Sequence, residues 1–171
     1  MSAIIEKLDS YNILTNLLPG AFFCIMFNVI FGVSLASVNT LENVVMYYFA
    51  GLIIGRLGSL FIPKILINLR FVSYASRKDY VKAVKNDTKI AILSEASSYY
   101  RSLLACNFLL LLLWISSILP FNWDWINFSW RGIVTIPLVI LFLFAFRKQN
   151  LSVSSRVSAI IELDEETEET A

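Results

Sequence analysis

The sequence predicts an all-α membrane protein with four transmembrane helices, with both termini and a basic helical hairpin on the cytoplasmic side. Hydrophobic residues make up 57% of the 171 residues, so most of the apolar surface must face lipid or other helices. Four apolar runs, roughly 17–38, 44–62, 103–119 and 128–146, approach the length of about 20 helical residues that crosses a hydrocarbon core. Twelve of the fourteen Lys and Arg residues lie before the first run, between the second and third, or after the fourth. Short basic loops stay in the cytoplasm, and this rule sets the orientation.

The N-terminal part is predicted to be a surface helix followed by two membrane crossings. Apolar residues spaced three to four apart predict that residues 1–16 form an amphipathic helix at the inner membrane surface. Pro19-Gly20 marks the turn into the bilayer, and residues 17–62 form transmembrane helices one and two. The loop around residues 37–43 is short and carries no cation, so the two helices form an antiparallel hairpin.

A basic cytoplasmic hairpin is predicted over residues 63–102. Its central part, residues 64–101, has eight basic and three acidic residues and thus a net charge of +5. Asp87-Thr88 is typical of a helix start, and nothing between residues 89 and 119 interrupts one continuous helix. Such a helix is longer than the bilayer is thick, so it projects into the cytoplasm.

The C-terminal part is predicted to hold two further crossings and a cytoplasmic tail. Residues 103–146 form transmembrane helices three and four, and residues 147–171 form the tail. The tail has three basic and six acidic residues, a net charge of −3, and its acidic end at 162–169 is predicted to be disordered.

The residues that support most enzyme chemistry are missing from the sequence. The chain has no histidine, which argues against the usual general base, catalytic triad and zinc site. No Asp or Glu lies within the four runs, although ion-coupled transporters generally keep a membrane carboxylate. Cys24 and Cys106 both lie in apolar runs and are expected to be reduced. We therefore predict a protein that is not an enzyme and that has no cofactor, metal or catalytic residue.

Small and polar residues in the membrane helices predict close helix contacts. Helix one repeats such residues every four positions, with Asn28 near mid-membrane, and helix two has Gly51, Gly55 and Ser59 at the same spacing. Asn107 of helix three is a further polar candidate. Packing within one subunit, contact between subunits and pore lining are all compatible with this pattern.

Arg56 lies inside the glycine motif of helix two. A membrane arginine costs at least a few kcal/mol unless it reaches the interface, pairs with an acid or meets water. One interpretation is that Arg56 snorkels towards inner phosphates. The other is that it forms a ring of charge at an inner vestibule, where it selects or gates ions. Glu95 is its predicted acidic partner within the chain.

The basic hairpin contains tyrosines as well as cations. Cations neutralise phosphates and aromatic rings stack on bases, so a nucleotide or oligonucleotide ligand is chemically reasonable. Topology alone, anionic lipid headgroups or a protein partner also explain such a loop. The candidate ligand residues are Arg77, Lys78, Tyr80, Lys82, Lys85 and Lys89. The acidic tail is a candidate to dock on this hairpin and compete with an anionic ligand.

Three segments resemble a family of short bacterial inner-membrane proteins linked to anti-phage defence, among them the membrane effector of Hailong-type systems. They are YNILTNLLPG at 11–20, YYFAGLIIGRLGS at 47–59 and LSEASSYYR at 93–101. The resemblance implies a homo-oligomeric ion channel paired with a nucleotidyltransferase-like enzyme. Short DNA oligomers from that enzyme are implied to hold the channel closed until infection.

The expected function is thus a homo-oligomeric channel or pore-forming effector of the bacterial inner membrane, gated from the cytoplasm by an anionic ligand. In this hypothesis Asn28 and Arg56 line or support the permeation path. The alternative is a non-conducting membrane anchor that presents the basic hairpin to a soluble partner. A silent bilayer and a partner that co-purifies would favour the alternative.

Overall fold

The computed structural model describes the backbone of residues 2–118 and 130–169 and the side chains of residues 15–117 and 130–164. Every regular element within these ranges is helical, which confirms the predicted all-α class for this part of the chain. The elements are α1 (Ser2–Phe31), α2 (Thr40–Asn68), α3 (Arg77–Asn86), α4 (Lys89–Ile118), a short 3₁₀ helix (Trp130–Val134) and α5 (Thr135–Glu169). The predicted link between the third and fourth membrane runs lies outside the described residues.

Helix α1 differs from the prediction at both ends of its apolar run. The predicted turn at Pro19-Gly20 is wrong, because α1 continues through Pro19 as one helix. Pro19 is buried, and its carbonyl accepts a long contact from the Cys106 thiol at 3.8 Å, so α4 packs against α1 at this point. The helix ends at Phe31, short of the predicted run to residue 38, because Gly32 adopts φ +71°.

The connection from α1 to α2 is tied together by polar side chains. Asn39 caps α2 and accepts a hydrogen bond from the Leu41 amide at 3.1 Å. Asn43 binds the backbone of Ser37 on both sides, through its amide nitrogen at 2.8 Å and its oxygen at 2.7 Å. The short connection makes α1 and α2 antiparallel neighbours, as predicted.

The long helices pack into one bundle. Helix α1 lies against α2, α4 lies against α5, and α2 and α1 both contact α4. Buried side chains from all four fill the interior, including Ile30, Ile54, Leu110 and Phe146. This core brings the two pairs α1–α2 and α4–α5 together.

The predicted hairpin is present, with different bounds. Helix α2 extends past the predicted boundary at residue 62 to Asn68, and α3 begins after a loop at Arg77. Ser76 caps α3 and accepts a hydrogen bond from the Asp79 amide at 3.3 Å. The predicted long helix from residue 89 is confirmed as α4. At its start, the Asp87 side chain accepts a hydrogen bond from the Lys89 amide at 2.9 Å.

A second hydrophobic core lies beyond the bundle, where α3 packs on α4 and α5. Ala83 and Ile90 are fully buried there against Val153 and Val157 of α5. We call this part, residues 77–93 and 149–164, the cap. The predicted disorder of the acidic end is wrong for its described backbone, because α5 remains helical to Glu169. Apolar packing in the cap stabilises the helix in the part of α5 just before the acidic end.

Within the described residues, three helices are long and apolar enough to cross a membrane, namely α2, α4 and α5, and Thr15–Phe31 is a shorter apolar segment. Large apolar side chains such as Ile25, Phe49, Ile53 and Phe144 are exposed on the outside of the bundle. Exposed apolar surface on this scale favours lipid as the surrounding solvent. The structure therefore agrees with a membrane protein.

Candidate functional site

A polar cavity of about 250 Å³ lies where the cap joins the bundle. Helix α4 contributes Arg101 and Ser97, which are four residues apart and so share one face of the helix. Asn150 comes from α5, and Tyr74 comes from the loop before α3. The first two turns of α3 add Arg77 and Tyr80. We call this space the cap cavity.

Two buried donor atoms without an acceptor among the described residues belong to side chains that line the cap cavity. They are Arg101 Nε and Asn150 Nδ2, and Asn150 is only 5% exposed. The one hydrogen bond formed by the Arg101 side chain in this part of the chain joins Nη2 to Ser98 Oγ at 3.4 Å. A buried donor without an acceptor costs about 1–3 kcal/mol. Binding of a group that accepts hydrogen bonds from these donors is therefore favourable.

The cap cavity is positively charged. Arg77 and Arg101 both line it, and none of its described lining residues is acidic. Burial raises the pKa of the Tyr74 phenol, against the opposing effect of the Arg101 cation, so Tyr74 is neutral at physiological pH. The cavity thus offers two guanidinium groups, neutral hydroxyls and an amide.

A second polar cavity of about 290 Å³ opens between α1, α2 and α4. Arg56 and Glu95 both line it, but no ion pair joins them, so the predicted pairing is wrong. Arg101 and Ser98 line this cavity as well as the cap cavity. Arg101 therefore forms a wall between the cap and the space around Arg56.

The glycine motif of α2 divides between packing and this second cavity. Gly51 is buried against α1, where a Cβ atom would overlap the Asn16 carbonyl oxygen. Gly55 faces Ser102 and the Asn16 side chain, and it lines the second cavity with Ser59. Gly51 thus serves contact between helices of one subunit, while Gly55 and Ser59 leave room near Arg56.

The other two membrane candidates lie in opposite environments. Asn28 is exposed on the outside of α1. Asn107 is fully buried, and its Nδ2 donates to the Leu103 carbonyl at 2.9 Å. The Asn107 Oδ1 atom accepts no hydrogen bond from the described residues. Asn107 is placed for packing inside the bundle, whereas Asn28 is placed for contact with lipid or another molecule.

The six predicted ligand residues of the hairpin do not form one site. Arg77 and Tyr80 line the cap cavity. Lys82 forms an ion pair with Asp164 of α5 at 3.6 Å. The remaining three are exposed on the cap surface, namely Lys78, Lys85 and Lys89.

Sequence reasoning missed Asn150 and grouped Arg101 only with the other hairpin cations. A signal for Asn150 was present, since it follows Phe146 by four residues and precedes Val153 and Val157 by three and seven. A polar residue at such a position lies on the same face of the helix as its apolar neighbours and is expected to be buried with them. Arg101 had no comparable signal, because its burial depends on how α3 and α5 cover α4.

The C-terminal part of α5 docks on the hairpin through charged contacts. Asn86 Nδ2 donates to both Asp164 carboxylate oxygens, at 3.0 and 3.1 Å. Arg156 Nε donates to Asp87 Oδ2 at 2.7 Å. The predicted attraction between tail and hairpin thus has a structural counterpart, while its inhibitory role stays a prediction.

We expect the Asp87 contacts to make the stability of the cap depend on pH. The Lys89 amide and the Arg156 guanidinium hold the pKa of the Asp87 carboxyl below its usual value. A lowered pKa stabilises the fold above the unfolded-state value of about 3.9 and this contribution disappears as the pH falls through the folded-state value. Asp87→Asn should therefore melt at a lower temperature than the wild type at about pH 6, with a smaller difference in stronger acid.

Circular dichroism melts across this pH range would test the Asp87 prediction. Glu162→Gln is the matched control, because Glu162 is an exposed acid of α5 that takes no part in the Lys82–Asp164 or Arg156–Asp87 ion pair. A difference between wild type and Asp87→Asn that stays constant with pH would contradict the assigned role of the carboxylate.

Comparison of the chain with protein families, with curated proteins and with solved structures finds no match. The resemblance to membrane effectors of phage defence therefore stays a prediction. The function has to be argued from the residues and their geometry.

Proposed function

We propose that this protein is a homo-oligomeric ion channel of the bacterial inner membrane, gated from the cytoplasm by an anionic ligand. In this proposal α1, α2, α4 and α5 all cross the bilayer, and both termini and the cap are cytoplasmic. The uneven distribution of Lys and Arg supports that orientation. Thr15–Phe31 is short for a crossing, but it belongs to a helix of 30 residues.

The observation that carries the proposal is the position of Arg56. It is exposed in the middle of an apolar helix and lines a polar cavity. Lipid is an unfavourable neighbour for a guanidinium, whereas a water-filled lumen between subunits solvates it. Asn28, exposed on α1, has the same need for a polar neighbour and supports assembly of several copies.

Arg101 suggests how ligand and gate communicate. Its side chain lines the cap cavity and also the second polar cavity, which Arg56 lines. An anion in the cap cavity attracts the Arg101 guanidinium and favours one packing of α4 against α2 and α5. Loss of the anion releases that preference, so the ligand shifts the population of closed and open states.

The biological setting of the proposal comes from the sequence resemblance. A nucleotide or short oligonucleotide is the proposed gating ligand, and a nucleotidyltransferase-like enzyme is its proposed source. The exposed lysines of the cap, Lys78, Lys85 and Lys89, support binding of such a polyanion.

The first experiment is a recording of single-channel currents from the purified protein in a planar lipid bilayer without ligand. Discrete steps would support a pore, and ion substitution would report its selectivity. A silent bilayer that contains the folded oligomer would contradict the channel.

We expect Arg56→Ala to reduce the anion conductance of the channel at least about tenfold, because a positive charge at a constriction concentrates anions and repels cations. Growth arrest on overexpression should fall in parallel. Lys64→Ala is the matched control, since Lys64 is an exposed cation at the end of the same helix. An Arg56→Ala protein that inserts normally and conducts like Lys64→Ala would remove Arg56 from the permeation path.

A non-conducting anchor for a soluble partner is the second candidate function. The cap favours it, since it has its own hydrophobic core and an exposed basic surface. Replacement of the membrane helices by unrelated anchors would preserve this function and abolish a channel.

A further inference from the structure

We propose that the cap cavity binds one phosphate group, free or as part of an ester, between α3, α4 and α5. The inference deepens the proposed function by naming the chemical class and position of the anionic ligand. Only its gating consequence rests on the channel, because binding can be measured in a protein that does not conduct.

The unpartnered donors are the first argument for an oxyanion. Arg101 Nε and Asn150 Nδ2 are buried at the cavity without an acceptor in the described part of the chain. They come from different helices, so an acceptor between them also joins α4 to α5. A group that accepts both hydrogen bonds removes the cost of leaving each donor unsatisfied.

Charge is the second argument. Two guanidinium groups, from Arg77 and Arg101, line a cavity whose described lining contains no carboxylate. Two ion pairs of the cap, Lys82–Asp164 and Arg156–Asp87, lie outside the cavity lining. The cavity cations are therefore left for an anion from outside, and guanidinium groups bind phosphate with several parallel hydrogen bonds.

The positions of the donor residues on three different helices favour phosphate over a carboxylate. Arg101 and Ser97 approach from α4, Asn150 from α5 and Arg77 from the start of α3. A tetrahedral phosphate presents oxygens in several directions, whereas both oxygens of a carboxylate lie in one plane. Tyr74 and Tyr80 also line the cavity and offer phenol groups and ring faces beside an ester substituent.

A soluble phosphate compound and a phospholipid headgroup both supply this chemistry. The cavity joins the cap to the bundle, so it is open in principle to ligands from the water and from the membrane surface. The test must therefore contain one probe of each kind.

The soluble probe is inorganic phosphate, titrated into the full chain in maltoside micelles, which contain no phosphate. We expect the melting temperature to rise with phosphate concentration in the wild type. Arg101→Gln should weaken phosphate binding at least about tenfold, because one charged hydrogen-bonding partner is worth about 1.5–3 kcal/mol. Lys64→Gln, which removes an exposed cation that does not line the cavity, should bind as the wild type does.

The lipid probe is phosphatidylglycerol, counted as bound adducts by native mass spectrometry of the same micelles. Asn150→Asp is the second variant, since it keeps the side-chain shape and places a negative charge at the unpartnered donor. Circular dichroism would verify the fold of each variant. Asn150→Asp should lose binding to both probes even if Arg101→Gln fails to fold.

The outcomes separate the sources of phosphate and test the site. A phosphate effect that both variants lose identifies a soluble ligand, and a lipid adduct that both lose identifies a headgroup. Binding that folded variants retain at wild-type strength, or no binding of either probe, overturns the proposal. A protein that binds phosphate but gives silent bilayers keeps the site and loses the channel.

Discussion

Gly51→Ala is expected to lower the free energy of unfolding by about 3 kcal/mol, the upper part of the usual range for an overpacked contact. The new Cβ atom would overlap the Asn16 carbonyl oxygen and come close to the backbone of Gly20. Both neighbours are backbone groups of α1, so they cannot move aside as a flexible side chain does. The two helices must therefore move apart where they cross at Gly51.

Gly55→Ala is the matched control from the same motif. Its Cβ atom would lie 3.4 Å from Ser102 Oγ and 3.9 Å from Asn16 Oδ1, which is ordinary contact. Thermal melts in micelles, followed by circular dichroism, would compare the two variants. Both replace a glycine of α2 by alanine, so the change in helix propensity is the same. If both melt alike, the α1–α2 crossing is not at Gly51, and the motif is left for contact between subunits.

The membrane class of this protein was predictable from local sequence properties. Hydropathy and the positions of Lys and Arg need no knowledge of tertiary structure, and neither does a helix start such as Asp87-Thr88. Residues 89–118 accordingly form the predicted long helix, α4. The predictions succeeded where one segment carries all of the information.

The predictions failed where another segment decides. Pro19 alone favours a helix break, but its burial against the rest of the bundle keeps α1 continuous. The acidic end of the chain alone favours disorder, yet Val153 and Val157 just before it are buried on α3 and α4. Each error came from a local rule that tertiary packing overrode.

The candidate site shows the same division. The sequence identified a basic, tyrosine-containing hairpin and included Arg77 and Tyr80. It did not separate the cations that face a cavity from Lys82, which pairs with Asp164, because that separation depends on the position of α5. Arg101 acquires its central place only when α3 and α5 enclose it.

The largest change in the cap is expected from Val157→Asp. Val157 is 1% exposed and packs with Ala83 and Ile90, so an aspartate there must either bury a charge or detach α3. Burial of an unpaired carboxylate costs several kcal/mol, so we expect α3 to detach from α5. Backbone amides of α3 should then exchange hydrogen at least about 100-fold faster, while those of the bundle core stay protected.

Ser158→Asp is the control for this change, because it adds the same charge at the next position of α5 on an exposed face. If the α3 amides exchange at the same rate in both variants, the packing of α5 on α3 is contradicted and a disordered tail is favoured instead.

The two variants also connect the cap with the phosphate proposal. Arg77 and Tyr80 belong to α3, so its detachment removes one wall of the cap cavity. Val157→Asp should therefore bind phosphate more weakly than Ser158→Asp, although neither substituted residue itself lines the cavity.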